Sequence, residues 1–386
     1  MKISLLFIIL YIFSFNKLIG QEFGGEFNEL PEPLLKSALE MRVHKQDSLA
    51  SAIILYDLGE IVLVPNGTNH NYLRRIKIFK KSAYSDWANV TLYAQKLGFT
   101  KINGFTSNLE NGQIVKTPLD ESQIFKSSYN KEWDKYIFTM PNVKEGAVIE
   151  YTWKSKLNFY TLPWWKFQHS VPVLWSQYDL INTEISFRAD LGGELKATYE
   201  NIKKRRIHRW TLANVPAFKD EPFMPNDDLF SSQLYLWSYR KSWDNAVEYW
   251  RTHKYYGRVF DPQDFLLPIA REVGGGPGVA PRNRIKNLVG YLKSQVSWNG
   301  VSDYLSDDPE EVLKLKKGSS GDINLTLASL LANAGISVNY VLISTRDNGH
   351  YHEEIPTMQQ FNYLICQAII GTDTLYVDAT RSESVV

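Results

Sequence analysis

The sequence holds a single cysteine, Cys366, in 386 residues. An intramolecular disulfide is therefore excluded, and in an oxidising compartment the fold would rest on its cores alone. No cysteine stands near position 20, which removes a bacterial lipoprotein anchor. An excess of either charge is also missing, with 43 basic against 42 acidic residues and a net charge of +1. No global field draws such a chain to nucleic acid or to an acidic membrane surface. The run Lys203-Lys204-Arg205-Arg206 leads into Ile207, His208 and Trp210 and reads as the solvated end of a strand. After residue 20 no apolar stretch is long enough to span a bilayer, so the mature chain is expected to lack a transmembrane segment. The glycines at 274–278 follow no strand and precede no Lys-Ser or Lys-Thr, which excludes a phosphate-binding loop. His350-Tyr351-His352-Glu353-Glu354 is the only histidine cluster. It lacks a distant third ligand, so neither a metal nor a cofactor is expected.

What is present begins with an export signal. Lys2, the apolar run Ile3 to Phe15 and Leu18-Ile19-Gly20 before Gln21 have the layout of a signal peptide over residues 1–20. Residues 21–44 are a lead-in segment. From Ala52 onward short alternating stretches suit half-buried strands: Ala52 to Tyr56, Glu60 to Val64, Tyr72 to Phe79, Ile137 to Met140 and Ala147 to Trp153. Asn103-Gly104 and Asn111-Gly112 have the composition of hairpin turns. Many short strands predict an antiparallel β sandwich over residues 45–228, with Trp133, Trp153, Trp164, Trp165 and Trp175 as packing residues. The stretch from Asn214 to Asp228 carries three prolines and can be neither helix interior nor central strand, so it marks the passage to a second domain, 229–386. There the period becomes helical, over Trp243 to His253, Pro262 to Val273 and Arg282 to Val296. The expected fold class is α+β.

Gly318-Ser319-Ser320-Gly321-Asp322 opens an apolar helix that ends at Gly335, and strands follow over Val338 to Ile343, Phe361 to Ile370 and Thr374 to Asp378. A small residue thus stands at the N-terminus of a buried helix beside antiparallel strands. In a papain-like arrangement a cysteine occupies that place, because the helix dipole and the free N–H groups favour its thiolate, and the strands supply a histidine base and an aspartate.

Residues 286–380 resemble a transglutaminase-like core. That family carries Gly-x-Cys-x-Asp at the helix start, a histidine opening the next strand, and an aspartate in Asp-Ala-Thr or Asp-Pro-Thr. Gly318 and Asp322 match, but Ser320 replaces the cysteine. Phe361-Asn362-Tyr363-Leu364-Ile365 matches the strand, but Tyr363 (or Asn362, with a register shift of one) replaces the histidine. Val377-Asp378-Ala379-Thr380 matches the third motif. Met140 to Tyr151, Trp165 to Tyr178 and Asn214 to Pro225 resemble the uncharacterised β domain, of the domain of unknown function 3857 type, that precedes such cores in exported bacterial proteins. Related chains usually run on into another β domain, whereas this sequence stops at Val386, so truncation at the C-terminus is expected.

Ser320, Tyr363 and Asp378 are therefore the positions of a degenerate triad, with Gly318, Asp322 and Asn362 in support. A phenol with an ordinary pKa near 10 is a poor base for a serine at neutral pH. Loss of such members typically costs on the order of 10⁴–10⁶ in rate. Ser320 also suits a helix N-cap. The resemblance implies a non-catalytic binding or scaffold protein of the periplasm or envelope of a Gram-negative bacterium, with envelope proteins or peptides as partners. A serine-dependent hydrolase or acyl transferase using Ser320 with a relocated base, and an enzyme of this fold with unrecognised chemistry, are the alternatives.

Overall fold

The structure, a computed structural model, describes residues 29–381 except positions 66, 97, 99, 131, 158–161, 182–185, 225, 239–241, 253–262, 277 and 307. The predicted signal peptide lies outside the described residues. The fold is α+β, as expected. It divides into two compact units, Met1–Ser128 with Glu132–Tyr239, and Tyr129–Lys131 with Arg240–Val386. The composition places a junction at 228–229, ahead of the strand Gln233–Ser238.

The first unit begins with a helix, α1 (Glu32–Glu40), and a short one, α2 (Tyr84–Trp87), follows the second strand. Its strands are β1 (Ala52–Val64), β2 (Gly67–Ile78), β3 (Asn89–Gln95), β4 (Thr100–Glu110), β5 (Gln113–Pro118), β6 (Phe125–Ser128), β7 (Trp133–Thr139), β8 (Val148–Leu157), β9 (Trp165–Lys166), β10 (Val173–Ile181), β11 (Phe187–Gly192), β12 (Thr198–Ile202), β13 (Ile207–Val215) and β14 (Gln233–Ser238). Eight of them form one sheet in the order β12-β13-β10-β1-β2-β8-β4-β5, and two three-stranded sheets, β3-β7-β6 and β11-β14-β9, accompany it. The pairing is antiparallel except between β1 and β10, which run parallel. Side chains of the small sheets pack on one face of the large one. Val90, Leu92 and Phe138 meet Ile54, Ile76 and Ile149, while Leu234, Leu236 and Trp165 meet Ile61, Tyr178 and Trp210. On the opposite face Leu35, Ala38 and Leu39 of α1 pack against Ile53, Leu55 and Leu73.

Two local readings change. The separate strands expected at 52–56 and 60–64 are one strand with a bulge between Ile54 and Tyr56. An extra residue in one strand shifts which side chains face which way, so Ile54, Asp57 and Ile61 share a face. Asn103-Gly104 is not a turn but lies inside β4, where Gly104 pairs with Tyr151 and Phe105 with Glu150. Asn111-Gly112 does turn the chain, at φ of 50° and 80°. The basic run is a short 3-10 turn, Lys203–Arg205, between β12 and β13, closed by Arg206 at φ 53°.

Asp57 lies between the two small-sheet cores and is fully buried. Its Oδ1 accepts from Tyr72 OH at 2.8 Å and Arg74 Nε at 3.0 Å, and its Oδ2 lies 2.8 Å from both Arg74 Nη2 and His169 Nε2. Four donors satisfy the carboxylate, which is what a buried charge requires.

The second unit holds α3 (Trp243–Thr252), α4 (Leu267–Gly274), α5 (Pro281–Gln295), α6 (Pro309–Leu315) and α7 (Ser320–Asn333). The strands β15 (Ser297–Trp298) and β16 (Lys317–Gly318) pair in parallel, and β17 (Ser337–Ile343), β18 (Tyr363–Ile370) and β19 (Asp373–Val377) form an antiparallel sheet. α7 is buried on all sides through Leu331, with Leu327, Leu330 and Leu331 against Leu288 and Leu292 of α5 and Cys366 and Ala368 of β18. Among the described residues no helix is long and apolar enough to cross a membrane.

Candidate functional site

The helix start is built by its own sequence. Ser319, not Ser320, is the N-cap: its Oγ accepts from Asp322 N at 3.2 Å while Asp322 Oδ2 accepts from Ser319 N at 2.9 Å. This reciprocal pair satisfies N–H groups that have no partner inside the helix. Asp322 Oδ1 accepts in turn from Ser306 Oγ at 2.9 Å. Gly318 closes β16, and a Cβ there would lie 2.7 Å from that of Asp322. Gly318 and Asp322 are thus the frame of the helix entry.

Ser320 is the first helical residue and is fully buried. Its N–H donates to Val301 O at 3.1 Å. Its Oγ donates to Asp303 O at 2.7 Å and accepts from Asp303 N at 2.8 Å. The hydroxyl is held on both sides by the backbone of the 301–305 segment. Asp303 fixes that segment from within, its Oδ1 accepting from Tyr304 N and Leu305 N at 2.8 and 3.1 Å. The approach is close enough that a Cβ on Gly321 would lie 2.2 Å from Leu305 O.

Tyr363 and Asp378 do meet. Tyr363 is 5% exposed, and its hydroxyl donates toward Asp378 Oδ2 at 3.0 Å and lies 2.5 Å from Thr380 Oγ1. Burial pushes the phenol up to about 12, with Thr380 opposing and the Asp378 charge adding to the rise. A phenol so displaced is a weaker base candidate still. Asn362 is not part of this contact. It faces the loop before it, accepting from Thr345 N at 2.9 Å and donating to Thr345 Oγ1 at 2.8 Å. Of the two neighbouring residues it is Tyr363, not Asn362, that meets Asp378.

Asn324, one turn after Ser320, connects the parts. Its Nδ2 donates to Leu364 O at 2.8 Å and Asp378 Oδ1 at 2.9 Å, and its Oδ1 accepts from Ala379 N at 2.9 Å. Cys366, on the opposite strand face from Tyr363, is buried with its Sγ 3.1 Å from Asn324 O, and burial pushes its thiol up. Asp303, Gly321, Asn324 and Thr380 were not singled out from the sequence as site residues. A fully polar amide inside an apolar helix was the available signal for Asn324. Asp303 gave none, since its role exists only once the loop returns over the helix. His350 and His352 lie with ring centroids 5.3 Å apart, and no group of three or more metal-ligating side chains occurs among the described residues.

Residues 66–219 match the family described as Domain of Unknown Function with solved-structure structure, DUF3857. None of the curated proteins matches the chain. Among solved structures, a Parabacteroides distasonis protein described as a candidate protease aligns over 86% of this chain and 67% of its own, at 18% identity and a TM-score of 0.70. Its likeness establishes a shared fold. A transglutaminase aligns over 56% of this chain and 55% of its own at 11% identity, and a Legionella pneumophila protein described as a candidate nutrient-binding protein over 74% and 94% at 11% identity, with TM-scores of 0.25 and 0.26. Scores that low carry no weight. The class defined so far is an α+β protein with a DUF3857-type β unit followed by an α+β unit. The family match lies within the β unit, and the 0.70 alignment shows a fold shared across most of the chain.

Proposed function

We propose that the chain is an exported, non-catalytic binding or scaffold protein of the bacterial envelope, in which the transglutaminase-like site has become a structural joint. One observation carries the reading: the Ser320 hydroxyl, at the position of the nucleophile, is buried and bonded at both ends to the Asp303 backbone. A serine nucleophile needs an accessible oxygen and a base near enough to take its proton. Here the hydroxyl donates to the Asp303 carbonyl, and the residue at the base position donates to Asp378. Chemistry by a relocated base would require the 301–305 segment to leave the helix end.

The purified protein, treated with a serine-directed fluorophosphonate, is expected to remain unlabelled at Ser320 and to cleave neither peptide nor ester substrates. Labelling or turnover that disappears in Ser320→Ala would overturn the reading in favour of a hydrolase or acyl transferase. N-terminal sequencing of protein from the envelope fraction should begin near Gln21; an intact Met1 chain in the cytosol would remove the export part.

A further inference from the structure

Three rings come together on the second unit. Trp243, at the start of α3, lies 5.9 Å from Tyr351 and 6.1 Å from Phe361 between centroids, and Tyr351 lies 5.7 Å from Phe361. Tyr351 is 42% exposed. The rings are fixed in place. Trp243 Nε1 donates to Glu353 O at 2.5 Å. Gln360, itself buried, accepts from His352 N at 2.6 Å and donates to His352 O and Ile355 O at 3.1 and 2.5 Å. Asn348 Nδ2 donates to Ser344 Oγ and Gln360 O, both at 2.9 Å, and the Asn362–Thr345 pair closes the base. The excursion 344–362 is thus a braced loop that presents Tyr351 to solvent.

Glu353 and Glu354 follow on the same loop, both exposed, and neither forms a salt bridge among the described residues. Their charge reaches the ring: after burial, these two carboxylates raise the Tyr351 hydroxyl above its ordinary value. A bare apolar patch would accept any hydrophobic group. Aromatic faces with unpaired carboxylates beside them select cations, because the ring quadrupole and the carboxylate field act with the same sign. A compact ammonium or metal ion stays strongly hydrated, and among the described residues no three metal-ligating side chains converge to replace that water. An alkylated ammonium sheds water more readily and offers methyl groups to the rings.

We propose that Trp243, Tyr351 and Phe361, with Glu353 and Glu354 beside them, form a binding site for an alkylated ammonium group, carried either by a small solute or by a methylated lysine. The site does not depend on the state of Ser320, so a protein found to hydrolyse esters would leave it standing.

The test is a titration of the whole protein with choline, read by tryptophan fluorescence and calorimetry, beside 3,3-dimethylbutan-1-ol, which has the same shape without the charge. Saturable choline binding is expected, with the neutral analogue weaker by at least about fivefold. Blocked trimethyllysine separates the sources: tighter binding than choline assigns the site to protein side chains, weaker binding to a free solute. Tyr351→Ala should abolish choline binding. Glu353→Gln with Glu354→Gln keeps side-chain size and the fold, and should weaken choline several-fold while leaving the neutral analogue unchanged. Equal affinity for the two analogues, absence of saturation, or unchanged choline affinity in the glutamine pair would overturn the proposal.

Discussion

Ser320 and Asn324 sit one helical turn apart, and their substitutions separate a structural joint from an active site. Ser320→Ala strips the Asp303 N–H and carbonyl of their buried partner. Removing a buried hydrogen-bond partner costs about 1–3 kcal/mol, so loss of this one hydroxyl should make the variant less stable by roughly that amount in urea unfolding. Removing a working nucleophile commonly does the reverse, because active sites trade stability for function. A Ser320→Ala protein more stable than the natural one would therefore speak for catalysis. Asn324→Ala loses three bonds that tie α7 to β18 and to the chain after β19, and should cost more, about 2–4 kcal/mol. Lys77 supplies a titration. Its buried amine donates to Leu39 O at 2.6 Å and Gly146 O at 2.5 Å. Burial, aided by Arg42, lowers its pKa from 10.5 to about 8. The folded state thus holds the proton less tightly than the unfolded one. Stability from this group is present above pH 10.5 and is lost as pH falls to about 8. Denaturant unfolding at pH 8 and 9.5 should show wild type gaining relative to Lys77→Met at the higher pH; parallel curves would contradict it.

At the scale of elements, the entry to α7 shows how much of a local structure its own residues dictate. Ser-x-x-Asp before an apolar run announces a helix start, and the start forms there. The identity of the cap did not follow: Ser319 and Ser320 are both serines, and the choice depends on which of them the 301–305 segment covers. Gly321 tests the same contact. Alanine in place of glycine inside a helix ordinarily gains about 1 kcal/mol. Here the added Cβ meets Leu305 O at 2.2 Å, so Gly321→Ala should lower the melting temperature rather than raise it. Asn103-Gly104 failed as a turn for a comparable reason. The pair is locally competent to turn, but β4 is paired with β8 through that stretch and with β5 from Phe105 onward, and pairing overrides the dipeptide's preference.

For the whole molecule, the junction between the units depends on long-range pairing. The proline-rich stretch after Asn214 ends one strand, yet β14 beyond it returns to pair with β11 and β9 and buries Leu234 and Leu236 in the core. A fragment of residues 29–238 is therefore expected to unfold cooperatively, whereas one of residues 29–228 should lack a sharp transition, as circular dichroism during heating would show. Equal cooperativity would restore the earlier junction.

Alternation of apolar side chains, the Asn-Gly turn at 111–112, the helix over α5 and the capping signature of α7 depend on neighbours a few positions away, and the sequence by itself determined them. The same spacing rules, with the motif resemblance, brought Tyr363 and Asp378 to one place. The parallel pairing of β1 with β10, the Asp57 cluster between two cores and the occupation of Ser320 by Asp303 join residues from 17 to more than 100 positions apart. The tertiary structure alone decided these. A hydroxyl's reactivity depends on what covers it, and no residue near Ser320 in the chain encodes that a distant loop returns to hold its proton.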